Sequence, residues 1–168
     1  MNDSVERITP RCILRRLKAD DMPVLKEIFD DPLTQRFLPE LYELCSSEEG
    51  ILGLMESFDI YDCNDDGLLW GISVGQVLAG FVAAMDLAEN PTVFYAAHPS
   101  FRSRGYMKEC MQEVILYLRE TCKCSFVQTE VYEENVASIS LLTSCGFDVI
   151  DKIDDKIFLK YEMSSLRR

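Results

Sequence analysis

Residues 98–107 read HPSFRSRGYM, and they sit where the pattern of the chain changes. The preceding PTVFYAAHP (91–99) is apolar and β-prone and is closed by Pro99. From Tyr106 the spacing becomes helical. Tyr106, Met107, Cys110, Met111, Val114, Ile115 and Leu118 share one face, with Lys108, Glu109, Gln112 and Glu113 opposite. The segment therefore predicts a strand, a turn holding Gly105, and an amphipathic helix. The first amides of a helix lack internal acceptors and carry the positive end of its dipole. Such a turn receives anions, Arg102 and Arg104 strengthen it, and Gly105 leaves the backbone bare for close approach. Taken alone, the Arg-x-x-Gly pattern fits an ordinary surface turn equally well.

The background makes the two arginines stand out. The chain has 168 residues and a formal net charge of −12, which disfavours nucleic acid as a partner because that affinity comes from cationic neutralisation of phosphates. A nucleotide-like cofactor is the better candidate anion, and a cationic small molecule or basic peptide the better second partner. With 48% hydrophobic and 27% charged residues and no apolar run near the ~20 residues of a spanning helix, a single domain (1–168) away from the membrane is expected. The N-terminal MNDSVERITPRC lacks the apolar core of a secretory signal. Seven scattered cysteines are read as free thiols in a cytoplasmic protein. Cys122 and Cys124 have no second pair and His98 is the single histidine, so no metal site is expected.

Outward from the turn, RCILRRL (11–17) reads as a first strand. Asp20 suits the N-cap of a helix to about Asp30, a second helix is expected over Leu33–Leu44, and Ser46 or Ser47 caps a third over SEEGILGLMESF. DIYDCNDDG (59–67) reads as a polar acidic loop. LLWGISVGQVLAGFVAAMDL (68–87) is too interrupted by glycine for a helix and predicts two strands turning near Gly75. SFVQTEV (125–131) is a strand, Asn135–Cys145 a helix ended by Gly146, and FDVIDKIDDKIFLKYEM a closing hairpin around Asp154 and Asp155. Three successive strands without intervening helices argue against a flavodoxin-like nucleotide binder.

The helix after SFVQTEV carries Asn135 and Ser138 in NVASISLLTSCGF, each of which alone suits a capping role. The joint order is more specific: strand, Arg-x-x-Gly, helix, strand, Asn-x-x-Ser helix, Gly-Phe, strand. In this the chain resembles the GCN5-related N-acetyltransferases. Arg102–Met107 matches their (Q/R)-x-x-G-x-(G/A) motif except at Met107. LRRLKADDMPVLKEIFDDPLTQRFLPEL (14–41) is similar to the ribosomal-protein N-terminal (RimJ/RimL-like) branch, so the resemblance covers nearly the whole chain.

The resemblance implies an α/β fold of the α+β kind, a mixed central sheet of about six to seven strands with helices on both faces. It implies acetyl-CoA as co-substrate, with the backbone amides of Ser103, Arg104, Gly105, Tyr106 and Met107 on the pyrophosphate and added charge from Arg102 and Arg104. Ala97 would bond the pantetheine arm through its backbone, in a slot between its strand and that of 126–131, and Asn135 would contact the same arm. Many family members place a tyrosine acid four residues before Gly-Phe. Here that position is Leu142, so Ser138 becomes the candidate donor to the leaving thiolate. Glu130 is the candidate base, with Asp86, His98 or a water-mediated route as alternatives. A cysteine acyl-enzyme is disfavoured because no cysteine neighbours the histidine in sequence. The expected activity is acetyl transfer to a primary amine, with a peptide N-terminus among the acceptors, and the acid-rich DIYDCNDD is expected to face that acceptor. A CoA-binding module of the same fold without turnover is the alternative.

Overall fold

The two central strands of this chain are apolar on both faces, and helices cover both. In a computed structural model, residues 6–164 are described. They form strands β1 (Arg7–Ile8), β2 (Ile13–Arg16), β3 (Gly67–Val74), β4 (Val77–Met85), β5 (Thr92–Ala97), β6 (Phe126–Tyr132), β7 (Asp148–Ile153) and β8 (Lys156–Glu162). The helices are α1 (Met22–Asp30), α2 (Pro32–Phe37), α3 (Pro39–Leu44), α4 (Glu48–Cys63), α5 (Tyr106–Glu120) and α6 (Val136–Ser144). One mixed sheet runs in the order β1-β2-β3-β4-β5-β6-β8-β7, and β5–β6 is its one parallel pair. Among the described residues no helix is long and apolar enough to cross a membrane.

Alternation along β4 divides the core. Val82 and Ala84 point to one face, where Trp70, Ile72 and Val93 meet Cys110, Met111, Val114 and Leu118 of α5 and Leu142 of α6. Phe81 and Ala83 point to the other, against Leu25, Ile28 and Phe29 of α1 and Ile51, Leu54 and Phe58 of α4. Each Val, Leu, Ile, Phe or Met side chain among them contributes roughly 1.5–3 kcal/mol on full removal from water, before entropy is counted. The first face carries the helix that opens at Gly105; the second carries the helices nearest the N-terminus.

The expected mixed sheet with helices on both faces is present, with eight strands. Arg7–Ile8 is the addition, two residues too short to show a period. The helix expected over Leu33–Leu44 is two helices. Pro39 has no amide hydrogen to donate and bars its predecessor from helical angles, and Leu38 sits at φ −131°, ψ 56°. The helix capped by Ser47 runs on through Cys63, so half of the expected acidic loop is helical. Leu54 and Phe58 bury a face there, and that packing outweighs the local acidity. The turns at Gly75 (φ 62°) and Asp154 (φ 55°) lie where the sequence puts them.

Asp21 ties the first helix to the sheet. Its carboxylate takes a bidentate contact from Arg15 on β2 (2.8 and 2.9 Å) and the Lys18 amide (2.7 Å). Burial pulls the Asp21 carboxyl upward, but Arg15 and the Lys18 amide outweigh it and hold it below the usual range. A lowered folded value means stabilisation present above the unfolded value, about 3.9, and lost as pH falls through the folded one. Asp21→Ala, which leaves the largely buried Arg15 without its carboxylate, is expected to cost about 3 kcal/mol at neutral pH in urea unfolding, and less as the pH falls below the unfolded value of about 3.9.

All seven cysteines are free. Cys12, Cys45, Cys110 and Cys124 are buried, and burial pushes the Cys45 thiol up to about 11. Exposed Cys63 should react first with a thiol reagent in the native protein, and the four buried thiols only on unfolding. A denatured count below seven would reveal a disulfide.

Candidate active site

The strand edge of β5 is half used. Successive residues of a strand turn their N–H and C=O to alternate sides. His98 N–H reaches Ala79 O on the β4 side (2.8 Å), so Pro91, Val93, Tyr95 and Ala97 turn their backbone groups toward β6. Pro91 O accepts from Gln128 N–H (2.8 Å) and Val93 O from Thr129 Oγ1 (2.8 Å). Pairing stops there, with Thr92 opposite Gln128 as the one register point. Beyond it β5 and β6 part, leaving the amide and carbonyl of Ala97 and Tyr95 along an open slot. A buried strand edge without a partner is costly, so an extended ligand with amide groups is its natural complement.

At the far end of that edge the chain turns into α5. Ser103 (φ 60°) and Gly105 (φ 82°, ψ 2°) adopt left-handed backbone, which lets successive amides point into one hollow. The N–H groups of Ser103, Arg104, Gly105, Tyr106, Met107 and Lys108 have no acceptor among the described residues, and α5 has no side-chain N-cap. Six free amides at a helix start form an anion cradle. Met107 does not obstruct it: its side chain is buried in the core under α5.

The cations differ from the expected pair. Arg102 is half-buried and donates to Asp31 Oδ2 (2.8 Å) at the α1–α2 junction, where the same oxygen caps α2 through Leu33 and Thr34. Burial raises the Asp31 carboxyl, but Arg102 and the two amides hold it below its usual range. Arg102, expected to add charge at the turn, also ties the turn to the α1–α2 junction, where Asp31 matches that charge. Arg104 is exposed. The second cation at the turn is Arg11, from the link between β1 and β2. Its Nη1 donates to Arg104 O (2.9 Å), its guanidinium lies 4.5 Å from the centre of the Tyr106 ring, and a Cβ on Gly105 would come within 3.1 Å of Nη2. Arg11 also pairs with Glu109 (3.0 Å), which offsets an acid in the first turn of α5. Nothing in the local pattern around Arg11 marks it, because a distant strand link brings it there.

Ser138, in the first turn of α6, shares a hydrogen bond with the Tyr95 hydroxyl of β5. The bond bridges the parted strands on the α5–α6 face, and burial pushes the Tyr95 phenol up to about 12. Asn135 caps α6, its Oδ1 accepting from Ser138 N–H (3.3 Å), which commits the oxygen and leaves the Nδ2 amide. Leu142 is fully buried in the core, so this helix position does not address the slot. Glu130 lies on β6 just past the last register point, half-exposed, with Lys156 Nζ at 3.2 Å. It alternates with the buried Val127 and Thr129 and the partly buried Val131, which face α5 and α6, and so faces the α1–α4 side of the sheet.

The two alternative bases are engaged or placed elsewhere. His98 Nδ1 accepts from Ser100 N–H (3.1 Å), which puts the ring hydrogen on Nε2 toward Glu27 (2.7 Å), so both ring nitrogens have partners. Asp86 follows β4 where β4 meets the start of β5, at the closed end of the slot. The acid-rich stretch lies at that end too. Gly67 pairs with Met85 and Met85 with Thr92, five residues or roughly 17 Å along the strand from Ala97. It does not face the acceptor side of the opening. Asp62 there pairs with Arg16, and Asp66 accepts from the Ala88 amide (3.1 Å).

The comparisons agree with this geometry. A sequence model of the acetyltransferase (GNAT) domain matches residues 11–148. No curated protein sequence matches the chain. Among solved structures, spermidine N-acetyltransferase from Vibrio cholerae, in complex with CoA and spermine, is similar at a TM-score of 0.76 and 15% identity, over 92% of this chain and 96% of that one. The ribosomal L7/L12 α-N-protein acetyltransferase RimL, in complex with CoA, is similar at 0.78 and 12%, over 93% and 96%. The ribosomal-protein-S5-alanine acetyltransferase from Vibrio fischeri is similar at 0.76 and 12%, over 98% and 100%. At such identities these structures speak for the fold. With the domain match spanning most of the sequence, the half-paired strand and the amide cradle are explained together: the chain belongs to the GNAT acetyltransferases, as an N-acetyltransferase dependent on acetyl-CoA.

Proposed function

We propose that the chain acetylates cationic primary amines, peptide N-termini among them, by direct attack in a ternary complex. The observation that carries this reading is the unpaired edge of β5 running into six unpaired amides. The edge fits the two amides of a pantetheine arm and the cradle fits a pyrophosphate. Acetyl-CoA supplies an electrophilic thioester carbonyl and a thiolate leaving group.

Ala97 pairs with the pantetheine arm through its backbone, and the amides of Ser103, Arg104, Gly105, Tyr106 and Met107 hold the pyrophosphate. Arg104 and Arg11 add charge, while Arg102 acts through Asp31 to hold the turn against α1–α2. Asn135 offers its Nδ2 to the same arm. Ser138 donates a hydrogen bond to the departing sulfur. Glu130, on the α1–α4 face, takes the amine proton directly or through one water and passes it to solvent. An N–C bond forms, the C–S bond breaks, and the protein regains its starting state.

A cationic acceptor follows from the carboxylates on this face. Glu130 is joined by Glu134, which pairs with Arg36 of α2, and by Glu40 of α3, close enough to act on Lys156. The solved spermidine and ribosomal-protein acetyltransferases have amine acceptors, which supports the class and leaves the choice within it to experiment.

Gly105→Asp places a side chain and a negative charge in the cradle, and calorimetry should show CoA affinity falling about 100-fold, or ~3 kcal/mol. Unchanged affinity in a folded variant would remove the cofactor from this turn.

Thiol release from acetyl-CoA, measured across peptide N-termini, lysine side chains, polyamines and aminoglycosides, tests the activity and its acceptor. Efficiency toward the best cation should fall as salt rises and fall at least tenfold in Glu130→Gln. Asp65→Asn with Asp66→Asn, at the closed end and more than a Debye length of ~8 Å away, should change nothing. A preferred neutral amine would refute the cationic reading. CoA binding without thiol release across the panel would favour a non-catalytic module.

A further inference from the structure

Tyr95 is absent from the residues that the strand–turn–helix pattern singles out, yet its hydroxyl makes the side-chain contact that bridges the slot to Ser138. Two facts define its chemistry. Its ring packs against the core under α5, so the side chain is held, and Ser138 Oγ is the one hydrogen-bond partner of its hydroxyl among the described residues. A phenol is a far stronger acid than an aliphatic hydroxyl, so between the two oxygens the phenol is the preferred donor. Ser138 then accepts from Tyr95, and its own hydrogen is released to point elsewhere.

We propose that Tyr95 is the positioning residue for Ser138: its hydroxyl donates to Ser138 Oγ across the parted strands and turns the serine hydrogen toward the leaving sulfur. The inference rests on the reading of Ser138 as the donor to the thiolate. No proton leaves Tyr95 in this role. With its phenol pushed up to about 12, transfer to a thiolate of ordinary thiol basicity, about 8.5, would be uphill by more than three orders of magnitude. Cys145, the other titratable group acting on Tyr95, is itself held neutral by burial up to alkaline pH. Tyr95 therefore remains a donor throughout the working range. The sulfur stays hydrogen-bonded to Ser138 until solvent protonates it.

A double-mutant cycle tests this, with CoA affinity by calorimetry as the check on folding and thiol release with the best amine of the panel as the rate. Tyr95→Phe keeps the ring and removes the hydroxyl. It should lower kcat 10- to 100-fold, leave CoA affinity and the KM for acetyl-CoA within about twofold, and match Ser138→Ala. The double variant should be no slower than Ser138→Ala alone. The ratio of parent to Tyr95→Phe rates should stay constant from pH 7 to 10, since the phenol does not titrate there. Additive losses, or a ratio that falls as pH rises, would show that Tyr95 acts by itself or as a titrating acid and would overturn the inference. If Ser138→Ala is slow and Tyr95→Phe is as fast as the parent, this inference fails while Ser138 keeps its role. If folded Ser138→Ala turns over like the parent, both fall.

Discussion

The structure depends on one interrupted pairing. β5 and β6 are the sheet's single parallel pair, and they share one register point before they part. All other neighbours are antiparallel and paired along most of their length. An edge that stops pairing inside a sheet exposes backbone amides and carbonyls which no side chain can substitute. The cost is tolerable because the opening is meant to be filled, and because both flanking strands are anchored elsewhere. β5 is fully paired with β4, and β6 with β8.

The two faces of the sheet then acquire different tasks. On one face α5 and α6 start next to the opening. The free start of α5 supplies the amides of residues 103–108, and the capped start of α6 adds the hydroxyl of Ser138. On the other face α1–α4 pack over Phe81, Ala83 and Ala96 and carry no such cradle. Ion pairs of Arg102 with Asp31 and of Arg36 with Glu134, and the hydrogen bond of His98 to Glu27, join the two sides around the slot. Each runs from α1 or α2 to the end of β5, the turn after it, or the link after β6. The cofactor side is thus attached to the helices that border the acceptor side, although most of these pairs are exposed and individually weak.

Charge is distributed with the same logic. The chain is strongly acidic overall, yet Arg11 and Arg104 meet at the turn that has to hold an anion. Glu109, which a helix N-terminus would otherwise present to that anion, is occupied by Thr9 and Arg11. Burial works to raise its carboxyl, and these hydrogen bonds hold it below the usual range instead.

Much of this was decided locally and was legible in the sequence. The period change at Tyr106, the turn glycines Gly75 and Gly105, the cap at Ser47 and the Asn135 cap of α6 depend on residues within a few positions of each other. Their elements appear where the pattern puts them. The split of α2 from α3 was missed, because the apolar pattern over Leu33–Leu44 runs through Pro39, although the proline's effect on its neighbours is local. Tertiary structure decided what distant residues share. Arg11 and Gly105 meet across 94 positions, Tyr95 and Ser138 across 43, and Arg102 and Asp31 across 71. It also decided that the acidic stretch before Gly67 ends at the closed end of the slot, because strand direction and register, set by the whole sheet, fix which loops lie together. A local pattern specifies a strand, a turn or a helix start; only the packed sheet specifies which side chains face one opening.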